Sequence, residues 1–386
     1  MKKTMLLMAL AIGLTLPIRA EIRLPQIFSD HMVLQREVPV KLWGWAPAGK
    51  EITVGFAGQK VSVKAGSEGK WRAELKALEA DCAPQEMRIT APGEADIIFK
   101  DVLVGEVWFT AGQSNMVMGM AGTTGGVEFF DKHSPKAGGL IRTVYMMGPP
   151  VQSDTPKDTV PANWGAISQG YSAVGGYFAF KLFEHFGGKV PVGMVTYCAI
   201  VKAEAWVDEA TLRGDPILAP VFDDVLKHAT KLYNGTINAV APYSMRGAIY
   251  YQAEYNGFGD NALRFRTLMP ALIKTWRRSW EEPELPFLFV QLPGFITMKA
   301  PESDIDMDPV TLQQYRNLKG RGTWTEVRES QLLTWLSTPK TGMAVTIDLG
   351  EDYDIHPPRK EPIGDRLLLL ARHYAYVEQD IVYSGP

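Results

Sequence analysis

The sequence predicts an α/β protein: a parallel sheet covered by helices on both faces, preceded by a small all-β unit. Two observations carry this. From residue 101 onward, apolar strand-like runs alternate with amphipathic helical runs, and the strands lack a polar face, as strands covered on both sides do. Ahead of them, residues 21–100 hold only short alternating runs separated by turn residues. Residues 1–20 stand apart. Lys2 and Lys3, the apolar run Met5–Leu16 and the closing Pro17-Ile18-Arg19-Ala20 have the order of an export signal. The apolar run is shorter than a membrane span, and no cysteine follows it to carry a lipid. The expected organisation is a signal peptide over 1–20, a β-sandwich over 21–100 and a catalytic domain over 101–386. The mature chain is expected to be exported, periplasmic or secreted, with no membrane attachment.

In the first unit the strand-like runs are Val38–Trp43, Glu51–Phe56, Lys60–Val63, Glu86–Thr90 and Asp96–Phe99. Pro47-Ala48-Gly49, Gly66-Ser67-Glu68-Gly69 and Pro92-Gly93 punctuate them, which is the spacing of a small β-sandwich. It carries no catalytic constellation. Packing beside the second unit is its expected role, with sugar binding as the alternative. In the second unit, Val107–Phe109 end a buried strand and Val117–Gly139 read as a glycine-rich loop. Strands are expected over Ile141–Met146, Val192–Tyr197, Met245–Tyr251, Pro286–Leu292 and Gly342–Ile347. Helices are expected over Ser172–Phe186, within Pro216–Tyr233, and over Ala262–Trp280, Thr325–Ser337 and Ile363–Val377.

Composition excludes several functions. With 40 basic against 43 acidic residues and a net charge of -3, no basic face for nucleic acid or anionic membrane is expected. Six scattered histidines form no HExxH, and no Cys/His spacing suits zinc, so neither a metal nor an organic cofactor is expected. Cys82 and Cys198 lie far apart and read as free thiols.

The chemistry concentrates in Gly105–Met116, GEVWFTAGQSNM. A buried strand runs into Gly112, where the backbone is expected to bend, and Ser114 follows at the rim of the sheet. A Gly-x-Ser alone is an ordinary turn or helix cap. A nucleophilic serine needs a base, and His356 is the best placed, in a loop after a predicted strand with acids around it. Asp354, two residues earlier, would lie on the same side of an extended chain. Tyr250–Asn256 is a second candidate stretch, in which a buried strand runs straight into Gln252, Glu254 and Asn256. Asn256 could donate to an oxyanion. Local hydrogen bonding is the competing reading for these side chains.

Taken together, GEVWFTAGQSNM, LYNGTINAVAPYSMRGAIYYQAEYN (232–256) and GMAVTIDLGEDYDIHPPRK (342–360) resemble successive blocks of the SGNH-hydrolase carbohydrate esterases of the sialate O-acetylesterase type. LPQIFSDHMVLQREVPVKLWGWA (24–46) is similar to that family's N-terminal β-sandwich. The resemblance implies a three-layer αβα, flavodoxin-like domain and an exported esterase acting on O-acetylated sugars, sialic acid first. It implies Ser114 as nucleophile, His356 as general base and then acid, and Asp354 as its acidic partner. The oxyanion would be held by the Ser114 N–H, an N–H near Ile200 and the Asn256 side chain. Gln113, Gln252 and Glu254 would complete the substrate side of the site.

The chain departs from the family pattern in three places. Thr196–Trp206 lacks the usual glycine pair, which leaves Ile200 and Val201 where an oxyanion amide is expected. The usual QGESN is Gln252-Ala253-Glu254-Tyr255-Asn256. The chain ends at Pro386, where relatives continue into further β structure. These departures keep open a catalytically impaired relative that binds acetylated glycans. An acetylxylan-type esterase is a further alternative.

Overall fold

The computed structural model describes residues 21–223, 227–257, 261–295, 324–352 and 354–383. The expected signal peptide lies outside them, as do residues 224–226 of the expected helix in Pro216–Tyr233. The N-terminal unit contains β1 (Val33–Gln35), β2 (Val40–Trp45), β3 (Glu51–Phe56), β4 (Gln59–Lys64), β5 (Lys70–Leu75) and β6 (Asp81–Thr90). Burial alternates along β2, β3 and β5, so Val40, Leu42, Ile52, Val54, Trp71 and Ala73 share a core. β2 pairs with β5 as a separate ribbon; β6 pairs with β3, and β3 with β4, all antiparallel.

β7 (Ile97–Gly112) runs through both units. Its first half pairs with β6 and β1, and its second half with two strands of the catalytic sheet, β10 (Val192–Cys198) and β11 (Gly247–Tyr251). The boundary expected at residue 100 therefore falls inside a strand. Asp101, where the second unit is expected to begin, takes a φ of 54°. Its carboxylate is bonded to Arg142 at 2.7 Å and His31 at 2.6 Å, which holds the bend within the strand.

The remaining strands are β8 (Ile141–Met147), β9 (Gly165–Ala166), β12 (Phe287–Val290) and β13 (Thr341–Ala344). The catalytic sheet has the order β13-β12-β11-β7-β10-β8-β9, parallel except for β9. The helices are α1 (Ser114–Val117), α2 (Gly126–Ala137), α3 (Ala173–His185), α4 (Glu209–Arg213), α5 (Asn238–Val240), α6 (Asn261–Trp280), α7 (Trp324–Ser337) and α8 (Glu361–Tyr374). Successive strand residues face opposite sides. Trp108 packs edge-on against Phe178 of α3, while Phe109 packs against Trp276 and Trp280 of α6. The sheet is thus covered on both faces, as expected. No helix among the described residues is long and apolar enough to cross a membrane.

Three local expectations are corrected. Val117–Gly139 contains α2, because the glycines that suggested a loop sit at its ends, Gly125 and Gly138, in left-handed conformation. Among the described residues, the stretch expected to hold a helix within Pro216–Tyr233 carries a 3-10 turn over Ala219–Asp223 and, from Tyr233 on, a π turn over Tyr233–Ile237. β13 stops at Ala344 rather than Ile347, since Thr346 Oγ1 donates sideways to Gln291 O at 2.5 Å and a 3-10 turn begins at Ile347.

At the amino end of the catalytic part of β7, fully buried Glu106 joins the units. It accepts from Arg36 Nε at 2.6 Å, Arg246 Nε at 2.9 Å and Tyr376 Oη at 3.1 Å. Arg36 follows β1, Arg246 precedes β11 and Tyr376 follows α8. Replacing the carboxylate removes the buried acceptor at the centre of this cluster and leaves the more exposed Glu37 as the carboxylate paired with both guanidinium groups. Glu106→Gln is expected to cost about 1–3 kcal/mol, read from the urea midpoint. An unchanged midpoint would contradict this role.

Candidate active site

The register brings three strand ends to one level. Gly112 pairs with Cys198 of β10 on one side and Tyr251 of β11 on the other. Gly112 is required for close approach rather than for a bend. A Cβ there would lie 2.1 Å from Tyr251 O, and Gly112 is not among the residues of positive φ. Gln113 follows with φ -120° and ψ -149°, and its N–H donates to Tyr251 O at 3.3 Å. Its carbonyl accepts from the amides of Met116 and Val117, so the chain turns at once into α1. The Gln113 side chain is buried. Ser114 is the first residue of α1, where an N–H has no acceptor within the helix.

Asn115 is fully buried, and its carboxamide is saturated by three partners. Nδ2 donates to Glu254 Oε1 at 2.6 Å and to Ile355 O at 2.9 Å, while Oδ1 accepts from Lys360 Nζ at 2.5 Å. Ile355 immediately precedes His356. One side chain thus links the residue after Ser114 to the residue before His356, across 240 positions of sequence. Pro358 O accepts from Thr124 N at 3.1 Å and pins the far side of the same loop.

His356 is 38% exposed and Asp354 59% exposed. Asp354 does not hydrogen-bond the ring. Its Oδ1 lies 3.9 Å from Nδ1 and accepts from the His356 backbone N–H at 2.8 Å. The expectation that Asp354 shares a side with His356 in an extended chain is corrected: the carboxylate folds back on the main chain in an Asx turn. It shapes the loop rather than holding the imidazole.

The loop after β10 lies beside Ser114. Ala199 N donates to Gly112 O at 3.1 Å, Val201 N to Ala199 O at 3.0 Å, Lys202 N to His228 Nδ1 at 3.3 Å and Ala203 N to Asn256 Oδ1 at 2.9 Å. Among the described residues, the Ile200 amide is the one in this run without a protein acceptor. Ile200 is not among the residues of positive φ, and its side chain is 58% exposed. The missing glycines therefore do not remove a free amide from this loop.

The loop after β11 is buried. Gln252 donates to Val201 O at 2.6 Å and accepts from Trp206 Nε1 at 2.8 Å. Asn256 donates to Glu204 Oε2 at 2.9 Å. Gln252 and Glu254, expected on the substrate side, have protein partners and hold the neighbouring loops in place; the expectation that the Asn256 side chain donates to an oxyanion is corrected, since its amide is taken up by Glu204 and its oxygen by Ala203 N. Burial raises the pKa of Glu254, against the opposing hydrogen bond from Asn115; burial likewise raises that of Glu204. Ala253, where the family has glycine, takes φ 143°, a conformation that suits glycine and is strained for alanine.

Sequence reasoning missed Asn115, Glu204 and Lys360. Lys360 carried a readable signal. A cation just ahead of a helix N-terminus opposes the helix dipole, so something else must hold it there.

The fold is that of a three-layer αβα esterase. A family profile described as carbohydrate esterase, sialic acid-specific acetylesterase, matches residues 104–355, a span that includes Ser114 and stops one residue before His356. The chain belongs to this family, whose reaction is hydrolysis of O-acetyl esters on sugars. The crystal structure of a carbohydrate acetylesterase from Xanthomonas citri superimposes with a TM-score of 0.78 at 33% identity, covering 95% of this chain and 77% of that one. Human sialate O-acetylesterase is 26% identical over 94% of this chain and 73% of its own length. The rat enzyme of the same name is 24% identical over 94% and 75%.

Gly112→Ala tests the strand-end geometry. The new Cβ would push β7 from β11 two residues before Ser114. A stability loss of about 1–3 kcal/mol from overpacking and an activity loss of about 100-fold from misplacement are expected, measured by urea denaturation and acetate release. Parent-like values for both would contradict the close approach.

Proposed function

We propose that this chain is an exported serine esterase that removes O-acetyl groups from carbohydrates, with O-acetylated sialic acid as the first substrate class. The observation that carries the reading is the Asn115 carboxamide, which joins the neighbours of Ser114 and His356 in one hydrogen-bonded group. Ser114 attacks the acetyl carbonyl while His356 takes its proton. The developing oxyanion is met by the N–H groups of Ser114 and Ile200, the first freed by its place at the start of α1. His356 then protonates the departing sugar oxygen, and water activated by the same ring releases acetate. Asp354 contributes by fixing the backbone turn at His356.

The names of the human and rat relatives favour sialic acid, and that of the Xanthomonas citri enzyme favours carbohydrate acetates more broadly. Acetylated xylan is the second substrate class. Export rests on the order of charges and apolar residues in Met1–Ala20.

The test is acetate release from O-acetylated sialic acid and from acetylated xylan. Ser114→Ala and His356→Ala are each expected to lower kcat/KM by at least about 1000-fold, with the sialic acid ester as the better substrate of the parent. Undiminished release by Ser114→Ala would overturn serine catalysis. Glycan binding without any release by the parent would instead support a non-catalytic binder.

A further inference from the structure

Lys360 is buried against the back of α1, yet nothing in the reaction outlined above uses it. Its ammonium donates to Asn115 Oδ1 at 2.5 Å and lies 5.2 Å from the centre of the Tyr251 ring. A buried ammonium is costly unless it is paired. What the cost secures can be read from the Asn115 carboxamide. An amide has two ends of opposite character. Here the NH2 end faces a carboxylate and a backbone carbonyl, and the oxygen end faces an ammonium. Turned over, it would set NH2 against NH3+ and oxygen against Glu254. The two charges together permit one orientation, the one that keeps Ile355 O, just before His356, bonded to the residue that follows Ser114.

We propose that Lys360 is a positioning residue for the esterase reaction: with Glu254 it locks the Asn115 carboxamide in the orientation that holds the His356 loop against the Ser114 turn. This rests on the reading of Ser114 and His356 as the reacting pair. The charged and titratable groups around Lys360 are few. The end of β11 presents Glu254 and Tyr251, and its own loop presents Asp354 and His356. On α3, Lys181 is already paired with Glu361 and Asp365, and Tyr177 bonds Thr123. Burial lowers the Lys360 pKa to about 8, with Glu254 and then Asp354 opposing the shift. Tyr251 is raised well above its ordinary value by burial and stays neutral in this range.

The lock therefore carries a pH signature. Above pH about 8, Lys360 loses its charge, Glu254 loses its counter-charge, and activity is expected to fall. Stability moves the other way. The unfolded chain keeps this proton up to the ordinary lysine pKa, so between the two values the folded state gains from this group as pH rises. A loss of activity in that window is then not unfolding.

The experiment is the pH profile of kcat/KM for acetate release by the full chain, with urea midpoints at the same pH values. Lys360→Met is expected to lower kcat by about 100-fold with KM within about threefold of the parent, and to lose the alkaline limb. Glu254→Gln removes the charge that helps hold the proton on Lys360, so its alkaline limb is expected at lower pH than in the parent. This second variant decides the matter if Lys360→Met fails to fold. Parent-like kcat in Lys360→Met, or an alkaline limb unmoved in Glu254→Gln, would overturn the proposal. Ser114→Ala separates the two levels. If it retains activity, the serine reading fails first; if it is inactive while Lys360→Met is not, only the role of Lys360 fails.

Discussion

One buried carboxamide holds the candidate site together. Asn115 reaches from the Ser114 turn to the strand-end loop of Glu254 and to the main chain before His356. Its hydrogen bonds span 139, 240 and 245 positions of sequence, so they form only once the catalytic sheet has assembled. Ser114 and His356 themselves remain partly exposed. Precision comes from beneath, through fully engaged polar groups that leave Asn115 little freedom to reorient. On the proposed mechanism this divides the labour: buried residues set the geometry, and accessible ones carry the chemistry.

The same logic extends along β7. This strand is anchored at the amino end of its catalytic half by Glu106 and its basic partners, and at its carboxyl end by the close packing of Gly112 on Tyr251. Between these points Trp108 and Phe109 face opposite helical layers. The N-terminal unit is therefore built onto the strand that delivers Ser114, without an intervening linker.

Much of the architecture was legible because it follows from periodicity. The apolar runs of β10, β11 and β12 and the helices α3, α6 and α7 lie close to where the sequence puts them. The misreadings share a cause. In α2 the glycines act as caps, and at Asp101 the charge is paired across space, so residues that break structure locally are absorbed by partners distant in sequence. The site divides in the same way. Ser114 and His356 are proposed from local signals, a serine just past an apolar strand and a histidine in an acidic post-strand loop. Asn115, Glu204 and Lys360 were not visible, because their meaning lies in pairings between loops. Asp354 misled for the opposite reason. Spacing put it beside the ring, while the short Asp side chain found its own backbone first.

The central claim is that Ser114 becomes acylated with His356 as its base. Mass-spectrometric mapping after treatment with a serine-directed phosphonate tests it most directly. A single adduct on the peptide carrying Ser114, formed at a rate that collapses in His356→Ala while the fold persists, is the expected result. An adduct on another residue, or labelling of Ser114 at parent rate without the imidazole, would contradict it.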